Sequence, residues 1–155
     1  MRKFGITLYF GIKLDKTLDE QLKTLKKAGF SEINEGLDYI NCDLNELREK
    51  SKRYGLSIGS LHSKKNKGVN INSIWENTIE TEIYLSSLKE DIRICSNLNV
   101  KYLVVHLDDD KYDGNYTSEG ENNIRRLVEF AKENNVVICV ENCYHIDLIK
   151  QVIKK

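Results

Sequence analysis

Five hydrophobic runs alternate with helix-like stretches along this 155-residue chain, and few folds accept that order. The first run, residues 4–10, ends at Gly11. Thr17-Leu18-Asp19-Glu20 then has the form of a capping box, with Leu18, Leu22, Leu25 and Ala28 at helical spacing and Gly29 as a stop. A short strand over residues 30–34 precedes a second helix, with Asp43 as N-cap, Leu44, Leu47 and Tyr54 facing inward, and Gly55 at its end. Residues 56–62 form the third strand. A polar loop over 63–72 leads into a long amphipathic helix through Trp75, Ile79, Ile83, Leu88, Ile92 and Cys95. The fourth strand spans 101–106, followed by an acidic loop and a helix marked by Ile124, Leu127, Val128 and Ala131. The fifth strand spans 136–141, with a short last helix over 146–153.

Strands separated by helices pair in parallel through right-handed crossovers, which predicts an α/β fold. Runs such as Tyr102-Leu103-Val104-Val105 read as strands covered on both faces. An open doubly wound sheet and a partial (β/α)₈ barrel both fit. No glycine-rich phosphate-binding turn follows any strand, which favours the barrel. One domain over 1–155 is expected, large enough to bury about 70% of its unfolded surface.

The charge is balanced, 24 basic against 24 acidic residues, so no global field draws the protein to nucleic acid or anionic membrane. With no apolar run approaching about 18 residues and no signal-peptide pattern at the start, a soluble cytoplasmic protein is expected. Cys42, Cys95, Cys139 and Cys143 lack a disulfide-scaffold spacing and are expected to be thiols.

Three strands finish on residues suited to chemistry: Leu61-His62, Val105-His106 and Val140-Glu141. In either fold, ligands bind at the carboxyl ends of the strands. A carboxylate ending a buried strand is costly unless it is paired or lines a cavity. Three other groups have blander readings. Cys139, Glu141, Cys143 and His145 alternate and could bind zinc, but the strand ends too early, which favours a core cysteine and loop residues. Lys64, Lys65 and Lys67 beside Gly68 could meet a phosphate, and a solvated loop is favoured. Asp108, Asp109 and Asp110 read as an exposed acidic loop.

From residue 4 to residue 143 the chain resembles the front part of the xylose isomerase-like barrel superfamily, which includes sugar-phosphate isomerases and epimerases and the AP endonucleases. The resemblance is carried by Ser60-Leu61-His62, by the stretch from Asn97 through Val105-His106, and by the helix holding Ala131 followed by Asn135-Val136 and a strand ending Glu141-Asn142. It implies a divalent metal, Zn²⁺, Mn²⁺ or Mg²⁺, at the mouth of the barrel, with Glu141 as metal ligand and His62 and His106 as catalytic residues. In the AP endonuclease branch the two histidines would also be zinc ligands. The implied activity is proton transfer next to the carbonyl of a small sugar or sugar phosphate.

The chain departs from the family pattern in three places. The family tends to place a glutamate at the end of strand two, where this chain has Asn34, and Glu35 one step on would face the other way. His62 is followed by Ser63-Lys64-Lys65-Asn66 where the AP endonucleases have Tyr and Asn, which disfavours DNA repair. Ligands from strands six to eight are not encoded before Lys155. This reading predicts a truncated barrel, strands one to five of eight, and a homodimer that covers the open side. An AP-endonuclease-like protein and a non-catalytic relative serving as an interaction module are the alternatives.

Overall fold

The structure, a computed structural model, describes residues 4–8, 16–38, 40, 42–64, 69–141 and 144–154. The elements in chain order are β1 (Gly5–Ile6), α1 (Leu18–Lys27), β2 (Glu32–Gly36), α2 (Leu44–Arg53) and β3 (Ser57–His62). A 3₁₀ turn (Ile71–Trp75), α3 (Ile79–Asn97), β4 (Tyr102–Val105), α4 (Ser118–Glu133), β5 (Val137–Val140) and α5 (Ile146–Ile153) follow. All neighbouring strands are parallel, and the sheet order is the chain order, β1-β2-β3-β4-β5. Right-handed crossovers that always step the same way put every helix on one face, which is barrel winding rather than the reversal of a doubly wound sheet. The fold is α/β, as expected.

Each helix before a strand stops in the same way. Gly29, Gly55, Asn99 and Asn135 have φ of 92°, 67°, 56° and 58°. After each, an apolar residue donates its N–H back to the last turn: Phe30 to Leu25, Leu56 to Ser51, Val100 to Cys95 and Val136 to Ala131, at 2.8 to 3.1 Å. A left-handed residue followed by this bond satisfies the orphan carbonyls and turns the chain into the next strand. The starts of α1 and α2 also follow the sequence. Thr17 and Glu20 form the capping box, and Asp43 accepts from Asn45 and Glu46 N–H.

The core lies between sheet and helices. Leu8, Leu22, Ile33, Leu47 and Leu56 fill one part, while Leu61, Leu103 and Val105 meet Leu85, Leu88, Ile92, Leu127, Ala131, Leu148 and Ile149 in the other. α3 differs from its expected extent. Trp75 belongs to the 3₁₀ turn, the helix begins at Ile79, and Ile79 and Ile83 are exposed. Leu88, Ile92 and Cys95 are buried as expected, joined by Tyr84 and Leu85 in place of Ile79 and Ile83. β2 extends to Gly36, past the expected end, because Glu35 and Gly36 stay paired with Leu61 and His62 of β3.

The other sheet face is not covered as the hydrophobic runs implied. Tyr102 is 43% and Val137 41% exposed, and both alternate with buried or half-buried neighbours on the helix side. Tyr9, Phe10 and Gly11 of the first expected strand lie outside the described residues. Among the described residues, no helix is long and apolar enough to cross a membrane.

Candidate metal centre

Strand phase decides whether His62 can reach a site. Ile33 pairs with Ile58 but Asn34 pairs with Ser60, so Gly59 is an extra residue in β3. Without that bulge, strict alternation from Ser57 would leave His62 on the helix face. With it, Leu61 enters the core at 0% exposure, while Ser60 and His62 share the face of Asn34. Glycine fits because a Cβ at position 59 would stand 2.8 Å from the Asn34 side-chain oxygen.

β4 and β5 bring in the other two groups. Tyr102 pairs with Val137 and Val104 with Cys139, so the same phase carried two residues on sets His106 beside Glu141. The ladder holds these ends: Glu141 N–H donates to the Val105 carbonyl at 3.0 Å and Ser63 N–H to the Val104 carbonyl at 2.8 Å.

The three side chains converge. His62 Nε2 is 2.9 Å and His106 Nε2 3.6 Å from Glu141 Oε2, and the two rings are 4.8 Å apart. Among the described residues this is the one group of three or more His, Cys, Asp or Glu with donor atoms gathered within 4.8 Å. His106 is the deepest, 14% exposed, against 28% for His62 and 45% for Glu141.

The geometry suits a divalent cation. Zinc binds nitrogen and oxygen at about 2.0–2.2 Å, so tetrahedral donors sit about 3.4 Å from one another. The 2.9 and 3.6 Å separations bracket that value. His62 Nδ1 also lies 2.9 Å from the Ser63 carbonyl, so both its nitrogens face acceptors. Donation from Nδ1 to the carbonyl leaves the Nε2 lone pair aimed at a carboxylate, an arrangement that a cation between them relieves.

The remaining sequence candidates fall elsewhere. Glu35 sits on the helix face, 4% exposed, and accepts the Leu8 N–H at 2.7 Å and the Gly36 N–H at 3.1 Å. Burial, the largest influence, raises its carboxyl above the usual range. It fastens the turn after β1 and takes no part in the cluster. Lys65, Lys67, Gly68 and Cys143 lie outside the described residues. His145 turns to Asp108, whose Oδ2 accepts its backbone N–H at 2.9 Å and meets its Nδ1 at 2.8 Å. Asp108 is therefore not part of an exposed loop: it is 1% exposed and secures the start of α5. Cys42, Cys95 and Cys139 are free thiols, and burial pushes Cys95 up to about 12.

Sequence reasoning missed the Gly59 bulge, the Asp108–His145 pair and a buried aspartate in α3, Asp91. The bulge had one signal, a glycine inside a strand.

Comparison with known proteins finds one family model and several structures of similar fold. A family model described as xylose isomerase-like TIM barrel matches residues 22–153. Comparison with curated proteins finds no match. A sugar phosphate isomerase/epimerase from Parabacteroides distasonis is 16% identical with a TM-score of 0.72, over 97% of this chain and 61% of that one. An AP endonuclease, family 2, from Brucella melitensis is 13% identical with a TM-score of 0.74, over 98% and 65%. The IOLI protein, solved with a binding zinc atom, is 16% identical with a TM-score of 0.72, over 99% and 58%. The chain thus spans about three fifths of the length of these structures.

Proposed function

As the chain belongs to the xylose isomerase-like TIM barrel family, we propose that His62, His106 and Glu141 hold a divalent cation and serve proton transfer next to the carbonyl of a small sugar or sugar phosphate. The observation that carries this reading is the convergence of two imidazoles and one carboxylate at three successive strand ends. The zinc in the IOLI protein and the isomerase/epimerase from Parabacteroides distasonis support the same direction. Zinc is the first candidate, because two imidazoles and a carboxylate suit it better than magnesium, which favours oxygen ligands and keeps its waters.

Such a cation, when bound, polarises a carbonyl or hydroxyl oxygen and so acidifies the adjacent C–H. The rest falls to the side chains. His106 anchors the inner side of the site. His62 presents Nε2 because Ser63 occupies Nδ1. Both imidazole contacts of Glu141 use Oε2, which leaves Oε1 of this half-exposed carboxylate to take up and return the proton.

The test is solvent exchange. Metal-loaded protein in D₂O, given ketoses and ketose phosphates, is expected to place deuterium on the carbon next to the carbonyl, and metal-stripped protein to place none. Absence of exchange with every sugar tried, in protein shown to carry the metal, contradicts the sugar reading. The histidine pair also favours a second reading. In the AP endonuclease branch both histidines are expected zinc ligands, so incision of abasic DNA without sugar exchange would support that branch.

A further inference from the structure

Asp91 sits in the middle of α3 with its side chain 1% exposed, yet among the described residues it has one hydrogen bond to explain the burial. Its Oδ2 accepts the Lys64 N–H at 3.0 Å. Its Oδ1 is buried without a hydrogen-bond partner among the described residues, and the Lys64 ammonium stands 3.9 Å off, beyond hydrogen-bond reach. Burial raises this carboxyl above the ordinary aspartate range, against the opposing pull of the Lys64 N–H and ammonium. A carboxylate held this way costs stability, and an apolar side chain would fill the place more cheaply.

The bond it does make explains the residue. The Lys64 N–H and the Ser63 carbonyl belong to one peptide unit, which is planar and trans, so fixing one end fixes the direction of the other. That carbonyl is the group 2.9 Å from His62 Nδ1. On its other side Ser63 is tied to β4 through its own N–H. A line of contact therefore runs from Asp91 through one rigid peptide to the ring of His62.

We infer that Asp91 is a positioning residue for His62: by gripping the Ser63–Lys64 peptide it keeps the proton of the ring on Nδ1 and Nε2 turned toward Glu141. Its value to metal binding rests on the proposed function, while the hold on the ring stands apart from it. The pattern is that of an outer partner that sets the tautomer of a ligand histidine, relayed here through the main chain.

The test compares wild type, Asp91→Leu and Asp91→Asn, each checked by circular dichroism. Leucine fills the buried position, whereas the asparagine amide oxygen still accepts the Lys64 N–H. The first readout is ¹⁵N NMR of the His62 ring at pH 9 in metal-free protein that also carries Glu141→Ala, so that no carboxylate 2.9 Å from Nε2 competes for the ring proton. In that background the protein with Asp91 intact and the one with D91N are expected in the Nδ1–H form, and the one with D91L to show Nε2–H. The second is zinc affinity by competition with a chelating dye, expected to fall about 10- to 100-fold in D91L and to recover in D91N. A folded D91L that keeps the Nδ1–H form overturns the inference. If the wild type binds no zinc, the metal reading fails alone, because the ring readout still decides whether Asp91 positions His62.

Discussion

Glu141→Ala is expected to lower zinc affinity by more than about 100-fold while hardly changing the stability of the metal-free fold. Loss of an outer partner of a ligand already costs about 10- to 100-fold, and Glu141 is the group that both imidazoles face. On the folding side its carboxylate is 45% exposed, and exposed ion pairs contribute no more than about 1 kcal/mol. The two effects separate in one experiment. Zinc at 100 times the wild-type Kd should stabilise the wild type by about 2.7 kcal/mol and E141A by less than about 0.5 kcal/mol. Equal stabilisation of both proteins would place the metal elsewhere.

Trp75→Ala is expected to have the largest effect on folding, about 3–5 kcal/mol in urea denaturation. The side chain is 2% exposed, and its ring fills the space above Gly120, where a Cβ would come within 2.1 Å of ring carbon Cε3. Tyr112 and Tyr116 pack on it at centroid distances of 5.9 and 5.8 Å. Nε1 donates to the Leu107 carbonyl at 2.6 Å, so alanine leaves both a cavity and a stranded acceptor next to His106. Against a total of about 5–15 kcal/mol for a domain, this is a large fraction. Trp75→Phe keeps most of the ring contact and should lose clearly less. A loss under about 1 kcal/mol for alanine would contradict the packing described here.

The parts of the fold legible in the sequence were those set by neighbours along the chain. Thr17, Asp43, Gly29 and Gly55 mark helix ends through local bonds, so their roles could be read without coordinates. Asn99 and Asn135 do the same work in less recognisable form, since asparagine enters the left-handed region less often than glycine. His62, His106 and Glu141 were legible because a polar residue closing an apolar run stands out. What brings them together was less so. The one-residue bulge at Gly59 sets the face of His62, and it exists only in the pairing of β3 with β2. Asp91 and Asp108 read as ordinary acidic positions because the groups that justify their burial, Lys64 and His145, lie 27 and 37 residues away. Ile79 and Ile83 misled for the opposite reason: apolar residues at helical spacing suggested a buried stripe, yet the helix turns them to solvent. Hydrophobic pattern constrains a face only when tertiary packing uses it.

The central claim is that one divalent cation sits among His62, His106 and Glu141. Anomalous diffraction at the zinc edge from zinc-loaded crystals tests it directly. The expected result is one stoichiometric peak about 2.0–2.2 Å from both Nε2 atoms and from a Glu141 carboxylate oxygen. A zinc-loaded crystal with its peak at Asp108 and His145, or with no ordered peak at these three strand ends, would contradict it.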